Sequence, residues 1–424
     1  MDVAVVGAGY VGLITAAGLA GLGHRVRLSE ASRQRVELLR GGGVPIYERG
    51  LDQLLSQAAD RGLISFHHSN VEAAAPSDFI FLCLPTPEGE DGRADLRRVH
   101  MVVEELANEV ADGALFVIKS TTPPGTAAIV RKKLADLGSQ ARVVSHPEFL
   151  REGKAVEDFM APDRIVVGAY DEADAEAVAG LYGSLDSRVI LTEPTSAEMI
   201  KYASNAYLAT KLTFVNTLAN LCEAVGADVT DVISGLGADH RIGPHFLEPG
   251  PGYGGSCFPK DTAALIGVAE DAGYDFELLR AVIEADREQR RRVAEKVRQA
   301  AGGGLRGRKV AMWGVAFKAG TDDCRESPAL RVARLLTEDG AEVVAYDPEA
   351  RTEELVMVDD PVEATQDADV LLVATEWPEF IAVDLGAVSE AMRGHRVVDS
   401  RNLLDPVVVR SAGLDYWGLG RPGA

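Results

Sequence analysis

The sequence predicts an α/β protein: two parallel-sheet domains joined by an all-α central section built on one long helix. Three observations carry this. Short apolar runs alternate with helical patterns from residue 2 to about 167, and again from 309 to 398. Residues 196–224 hold neither Pro nor Gly, so a helical pattern runs through them unbroken. The run Gly302-Gly-Gly-Leu-Arg-Gly307 then marks a linker before strands return. Strand and helix in alternation select a parallel sheet covered on both faces.

Asp2–Val6 reads as a buried strand, Gly7-Ala-Gly-Tyr-Val-Gly12 as a G-x-G-x-x-G turn, and residues 11–22 as a helix. Residues 3–23 carry no charge and are long enough to suggest a membrane span. No basic segment precedes them, and glycines at 7, 9, 12, 18, 21 and 23 would weaken one continuous helix, so strand, turn and helix fit better. Arg25–Ser29 is a second strand ending at Glu30. Further strands are expected at 79–84, Leu115–Ile118, Arg142–Ser145 and 165–167.

In the central section Gly226 stops the long helix and Asp228 can cap the next. Helices are expected at about 262–272 and 275–299. Strands follow at 309–315, Glu342–Tyr346, 370–374 and 396–398, with a helix at Pro328–Glu338. Residues 339–347 echo 21–30 as helix end, Gly, strand and acidic terminus. This implies a second Rossmann-like unit that lacks G-x-G-x-x-G and so is not expected to hold a second dinucleotide. The expected domains are 1–194, 195–300 and 301–424.

The 424 residues are 46% hydrophobic and carry a net charge of −22. Nucleic-acid and anionic-membrane surfaces need a basic footprint, so neither partner is expected. Cys83, Cys222, Cys257 and Cys324 form no C-x-x-C pair, which argues against zinc-ribbon and thioredoxin chemistry and fits reduced thiols in a cytoplasm. The eight histidines show no ligand spacing, and no metal is expected.

Gly7, Gly9 and Gly12 follow a strand and open a helix, the setting in which backbone N–H groups meet a pyrophosphate. Glu30 is placed for ribose hydroxyls and disfavours a 2′-phosphate, which points to NAD; Arg33 and Arg35 keep NADP open. Lys201 and Asn205 are four residues apart and share a helix face, either in a site or on an ordinary exposed face. Thr86 in Leu84-Pro-Thr-Pro87, the run Lys119-Ser-Thr-Thr-Pro-Pro-Gly125, and Glu148 and Glu152 in His146-Pro-Glu-Phe-Leu-Arg-Glu-Gly153 all follow predicted strand ends. Ligands bind at that edge of open α/β sheets. Cys257 lies in Gly250-Pro-Gly-Tyr-Gly-Gly-Ser-Cys-Phe-Pro-Lys-Asp261. Four glycines let the backbone approach a ligand, and a neighbouring cation raises the reactive thiolate fraction. The alternative is a structural Cys in a surface loop.

Together these blocks, with EMIKYASNAYLATK (198–211), RIGPHFLEPGPGYGGSCFPKD (241–261) and GVAFKAGTDDCRESPAL (314–330), resemble the UDP-glucose/GDP-mannose dehydrogenase family. The likeness is closest to its UDP-glucose branch and runs from residue 2 to about 405. It implies oxidation of a sugar C6 alcohol to a carboxylate with two NAD per substrate. Cys257 would form a thiohemiacetal and then a thioester. Lys201 and Asn205 would stabilise the oxyanion, Asp261 would orient water or Lys201, and Glu148 and Thr121 would direct the hydrolytic water. The resemblance gives NAD contacts to Gly7, Gly9, Val11, Gly12, Glu30, Arg35, Thr86, Thr121, Glu152, Lys260 and Arg325. It gives nucleotide-sugar contacts to Glu148, Phe149, Leu150, Arg151, Glu152, Lys201, Phe246, Leu247, Glu248, Pro249, Gly250, Gly254 and Cys257, with Lys318 at the pyrophosphate. Arg241 would reach a neighbouring subunit, implying at least a homodimer. Residues 1–194 would then bind NAD, 195–300 dimerise and 301–424 bind the UDP sugar.

His146, His240 and Cys324 depart from the family pattern without removing a catalytic group. Other nucleotide sugars (UDP-N-acetylmannosamine, UDP-N-acetylglucosamine, GDP-mannose) stay open as substrates. A single-step hydroxyacid dehydrogenase would lack the Cys block, and a non-catalytic NAD or nucleotide-sugar sensor would be expected to lack Cys257, Lys201 or Asp261.

Overall fold

The computed structural model describes residues 1–89 and 92–422, so the last two residues of the expected 301–424 domain lie outside the described ones. The chain divides into two compact units. One comprises Met1–Ser204 with Ala263–Ala272, and the other Asn205–Thr262 with Gly273–Ala424.

The first unit is built on eight strands: β1 (Asp2–Val6), β2 (Arg25–Ser29), β3 (Ile64–His67), β4 (Phe79–Leu82), β5 (Leu115–Ile118), β6 (Arg142–Ser145), β7 (Arg164–Ala169) and β8 (Arg188–Thr192). Their order is β3-β2-β1-β4-β5-β6-β7-β8. Successive side chains of a strand point to opposite faces. Val3, Val5, Leu28, Phe81 and Val117 therefore pack on one side with Leu13, Ala16 and Ala17 of the first helix, Tyr10–Gly21. Ala4, Val6, Ile80, Leu82 and Phe116 pack on the other with Val99, Val103 and Val130. This double burial is why the central strands read as continuous apolar runs.

The structure adds strands that the sequence pattern did not reveal. β3 and β8 are edge strands: β3 (Ile-Ser-Phe-His) alternates apolar and polar residues, whereas β8 carries the run Val189-Ile190-Leu191, most of it exposed, a signal that escaped the sequence reading. The sheet is parallel except between β6 and β7, which pair antiparallel through Val144↔Ala169 and Ser145↔Gly168. The segment 146–163 between them holds one short helix, Ala155–Met160.

The second unit carries a six-stranded, fully parallel sheet: β9 (Lys309–Trp313), β10 (Glu342–Tyr346), β11 (Val356–Met357), β12 (Val370–Val373), β13 (Arg396–Asp399) and β14 (Asp415–Gly418), ordered β11-β10-β9-β12-β13-β14. Helix Glu277–Ala300 lays Val293, Ala294, Val297 and Ala300 into the same core as Trp313, Leu371 and Val397.

The long helix spans Pro194–Val225. The next helix of interest, Phe258–Asp271, starts four residues before the expected 262. Pro259 explains the shift, because the first turn of a helix leaves its N–H groups unbonded and tolerates a residue without one. Lys260 and Asp261 are therefore helical, not part of the loop. Among the described residues no helix is long and apolar enough to cross a membrane.

Candidate active site

The glycine turn is set by sterics. Gly7 has φ 98°, and its N–H donates to Ser29 O at 3.0 Å, tying the turn to β2. A Cβ on Gly12 would lie 1.8 Å from Gly7 O, so the helix packs there only without a side chain. A Cβ on Gly9 would meet nothing within 4 Å. Open space over a helix N-terminus suits a pyrophosphate, and these residues fit NAD. At the end of β2 Glu30 accepts the Ser32 N–H at 2.8 Å. Arg35 donates to Ala8 O at 2.8 Å, which commits its guanidinium to the turn, whereas Arg33 is exposed. Val11 is half-buried beside them.

The carboxyl ends of β4, β5 and β6 carry the next group. Thr86 is buried and donates to Thr121 O at 2.9 Å. Glu148 Oε1 accepts from Lys201 Nζ at 2.8 Å, and Glu148 Oε2 accepts the Leu150 N–H at 2.6 Å. Burial pushes the Glu148 acid up, but the Lys201 ammonium and the Leu150 amide outweigh it and hold the group below the usual carboxylate range. Phe149 lies under two cations, with its ring centroid 3.8 Å from the Arg164 guanidinium and 5.6 Å from Lys201 Nζ. Arg151 is turned to Asp158, at 2.5 Å, and is exposed.

Two arrangements beneath this edge escaped the sequence reading. Lys119 is buried with Nζ 3.1 Å from His146 Nε2, whose ring also meets Val166 O at 2.7 Å and Tyr182 Oη at 2.9 Å. Burial lowers Lys119 to about 8 and holds His146 neutral. Glu48, also buried, accepts from Tyr10 Oη and from the Gly153 and Ala155 amides at 2.7 and 2.8 Å. It thereby anchors the segment that carries Glu152. Glu48 and Glu198 each accept from two backbone amides distant in sequence, partners that no motif encodes.

In the second unit Cys257 directly precedes helix Phe258–Asp271, and Cys257 O accepts the Asp261 N–H at 2.8 Å. The sulfur thus sits at a helix N-terminus, an end that favours an anion. Its neighbour Ser256 Oγ is 3.6 Å away. Asp261, buried in the first turn, accepts from Asn205 Nδ2 at 2.6 Å and from Lys260 Nζ at 2.5 Å. Two other thiols differ. Burial pushes Cys83 up to about 12, and burial with nearby acids does the same to Cys324.

The Cys loop is held by side chains that sequence analysis did not select. Gly250 N–H donates to Asn216 Oδ1 at 2.7 Å, and Gly250 O accepts from Gln289 Nε2 at 2.9 Å. Tyr253 N–H donates to Asp286 Oδ1 at 2.8 Å, and Arg290 donates to Tyr253 O at 3.1 Å. Cβ atoms built on Gly254 and Gly255 would lie 2.4 Å from Glu326 O and 2.8 Å from the Phe317 ring. Arg401 lies against Gly250 and donates to Phe317 O at 3.1 Å. Asp286, Gln289 and Arg290 are within one turn of a single helix, which was the available signal.

Phe246 has φ 61°, an uncommon value for an aromatic residue, and its ring is 6.5 Å from that of Phe258. Leu247 and Pro249 are buried next to it, and Glu248 accepts the Leu247 N–H at 3.1 Å. Lys318 Nζ is 5.4 Å from the Phe317 ring centroid, on the segment that packs against Gly255. Arg325 is exposed and bonded to Asp323, and Arg241 is exposed and bonded to Asp239. Among the described residues no group of three His, Cys, Asp or Glu could hold a metal ion.

Three family models match the chain in order: the NAD binding domain of the UDP-glucose/GDP-mannose dehydrogenase family over residues 1–186, its central domain over 195–288, and its UDP binding domain over 311–406. A UDP-glucose 6-dehydrogenase of Pseudomonas aeruginosa is 42% identical, with 100% of this chain and 98% of that protein aligned. Among solved structures, a UDP-glucose dehydrogenase from Pyrobaculum islandicum superposes with a TM-score of 0.92 at 39% identity, over 99% of this chain and 97% of that one. A UDP-D-ManNAc dehydrogenase from Pyrococcus horikoshii gives 0.89 at 29% identity, over 99% of both chains. The chain belongs to the UDP-glucose/GDP-mannose dehydrogenase family and is an NAD-dependent nucleotide-sugar dehydrogenase.

Proposed function

We propose that the protein oxidises the C6 alcohol of UDP-glucose to the carboxylate of UDP-glucuronate, with Cys257 holding the carbon covalently between two oxidations. The observation that carries this is Cys257 at the start of a helix, one turn from the buried Asp261 that Asn205 and Lys260 hold. NAD supplies the hydride acceptor for both oxidations. The Cys257 thiolate adds to the C6 aldehyde, and the resulting oxyanion takes a proton to give a thiohemiacetal. Its oxidation yields a thioester, and water then releases the acid and regenerates the thiol.

Lys201 and Asn205 lie one turn apart on the long helix, and their role is to donate to the oxyanion. Such preorganised donors are typically worth about 3 kcal/mol each. Asp261 accepts from Asn205 and so orients it, beside the expected part in orienting water or Lys201. Glu148, ionised beside Lys201, accepts a proton from the hydrolytic water, and Thr121 positions that water.

Gly7, Gly9, Val11, Gly12, Glu30, Arg35, Thr86 and Thr121 are the NAD contacts of the first domain, with Glu152, Lys260 and Arg325 beside them. Residues 148–152, Lys201, Arg241, 246–250, Gly254 and Lys318 bind the UDP sugar. The division into 1–194 for NAD, 195–300 for dimerisation and 301–424 for UDP follows from these roles. A homodimer is supported by Tyr207, Phe214 and Leu221, exposed at seven-residue spacing on the long helix. A cytoplasmic location is supported by cysteines that form no disulfide.

UDP-glucose is preferred as donor because the Pseudomonas and Pyrobaculum relatives carry its name at higher identity than the Pyrococcus relative carries UDP-D-ManNAc. The deciding assay measures NADH formed per donor consumed for UDP-glucose, UDP-N-acetylmannosamine, UDP-N-acetylglucosamine and GDP-mannose. We expect two NADH per UDP-glucose and little from the others. A ratio of one, or a different preferred donor, overturns the reading.

A further inference from the structure

Glu198 lies one turn before Lys201 on the long helix and is 2% exposed. Its carboxylate is spent on backbone. Oε2 accepts the Gly125 N–H at 2.6 Å and Oε1 accepts the Ala127 N–H at 2.7 Å. Those amides open helix Thr126–Asp136, whose N-cap is Gly125 at φ 96° and has no side-chain cap of its own. The first turn of any helix presents N–H groups without intrahelical partners, and here an acid from another helix satisfies two of them.

The loop ending at Gly125 carries Thr121. Its upstream end is fixed by Ser120 Oγ on Leu82 O and Leu84 O, at 3.1 and 2.7 Å, and by Thr86 on Thr121 O. Glu198 fixes the downstream end. The same helix thus delivers Lys201 to Glu148 after β6 and Glu198 to the loop after β5, two strands paired in register.

We propose that Glu198 is a positioning residue for the Thr121 loop: as a carboxylate it clamps the Gly125 and Ala127 amides and holds Thr121 at the sheet edge that carries Glu148, and as a neutral acid it gives up one of the two bonds. This rests on the proposed part of Thr121 in the dehydrogenase reaction. The groups facing Glu198 are Glu193 from the segment before the long helix and Tyr170 from the end of β7, with Arg131 of helix Thr126–Asp136 stacked on Tyr170 at 4.4 Å. Burial is the largest influence and pushes the acid up to about 7, against the pull of the two amides, while Glu193 adds to the rise. The sign follows. Between the ordinary value near 4.5 and about 7 the unfolded chain is ionised while the folded acid keeps its proton. Global stability from this group therefore falls as pH rises through this window, whereas a local opening of the loop, which leaves Glu198 buried and its charge without the two amides, becomes harder once the acid is ionised.

The test is amide hydrogen exchange of the ligand-free protein at pH 6 and pH 8, corrected for intrinsic exchange, in peptides covering residues 119–130. Protection of Gly125 and Ala127 is expected to rise about tenfold from pH 6 to pH 8, the scale of one charge-assisted hydrogen bond. In Glu198→Gln, which does not titrate, protection should be equal at both pH values. Should Glu198→Gln not fold, Glu198→Asp keeps the acid on a shorter arm and should show the same step at lower protection. A wild-type profile without the step, a step that survives in Glu198→Gln, or a flat profile in Glu198→Asp overturns the clamp. In turnover the wild type should lose kcat below neutral pH where Glu198→Gln does not. The step without any NADH formation would leave the clamp standing and overturn the dehydrogenase reading.

Discussion

Lys201 Nζ lies 2.8 Å from Glu148 Oε1 with only 4% and 6% of the two side chains exposed. A pair this buried is costly to break, because removing one partner strands the other charge in low dielectric. Lys201→Met should lower stability by about 3–5 kcal/mol in urea unfolding, and the double variant Lys201→Met/Glu148→Leu should recover most of it. Acid acts on the same pair. The Glu148 acid is held below its ordinary 4.5, so its contribution is full above that value and is lost as pH falls through the lowered one. Stability measured against pH should show this acid loss in the wild type and lack it in Lys201→Met.

Cys257→Ser tests the proposed covalent step without disturbing the fold, since Ser differs from Cys by one atom. An alkoxide is far harder to generate at neutral pH than a thiolate. Turnover should fall by more than about 10³-fold, or a hydroxyl-linked sugar adduct should persist. Intact-protein mass spectrometry with UDP-glucose and NAD separates the two. Turnover near the wild-type rate would show that the sulfur is a bystander.

Gln289 binds Gly250 O through Nε2 and Asn220 Nδ2 through Oε1, both at 2.9 Å, in a buried position. Gln289→Leu keeps the volume and leaves a carbonyl and an amide unsatisfied, at a cost of about 1–3 kcal/mol each. Because Gly250 opens the Cys loop, kcat should fall more than NAD affinity. Calorimetric NAD titration beside steady-state kinetics distinguishes this from general loss of fold.

Such partners mark what was legible in the sequence and what was not. The central strands could be read because both faces are buried, so β1 and β4 are continuous apolar runs, while edge strand β3 alternates apolar and polar residues and edge strand β8 shows only the three-residue run Val189-Ile190-Leu191. Gly12, Cys257 and Lys201 stood out because their chemistry depends on residue type and local spacing. Glu198, Asp286 and Gln289 did not, because they bond backbone atoms 33 to 73 residues away, a relationship fixed by tertiary packing. Helix Phe258–Asp271 begins before the expected 262, and Pro259 is compatible with that start because a proline breaks a helix anywhere except the first turn, which is where it lies.

Gly9 and Gly12 separate folding from cofactor binding. Gly9 has φ −73° and open space where a Cβ would lie, so Gly9→Ala should change stability by no more than about 1 kcal/mol. If the pyrophosphate occupies that space, the same methyl should weaken NAD binding by tenfold or more. Gly12→Ala forces its methyl into Gly7 O at 1.8 Å and should lower the melting temperature even without NAD. Calorimetric melting and NAD titration of both variants check the pair. Equal stability losses in the two would contradict the space seen at Gly9.

Phe214 and Leu221, both 56% exposed, lie seven residues apart on the long helix with Tyr207 a further seven before them. Seven residues are close to two helical turns, so the three side chains form one stripe. A stripe of large apolar groups facing water is costly for a monomer and is removed when a second copy covers it. The single variant Phe214→Glu would place a charge opposite its symmetry mate in an isologous contact. Sedimentation equilibrium should give a dimer for the wild type and a monomer for Phe214→Glu at the same concentration, with far-UV circular dichroism unchanged. A wild-type monomer would overturn the dimer, and a dimer that survives both Phe214→Glu and Leu221→Glu would assign the contact to another surface.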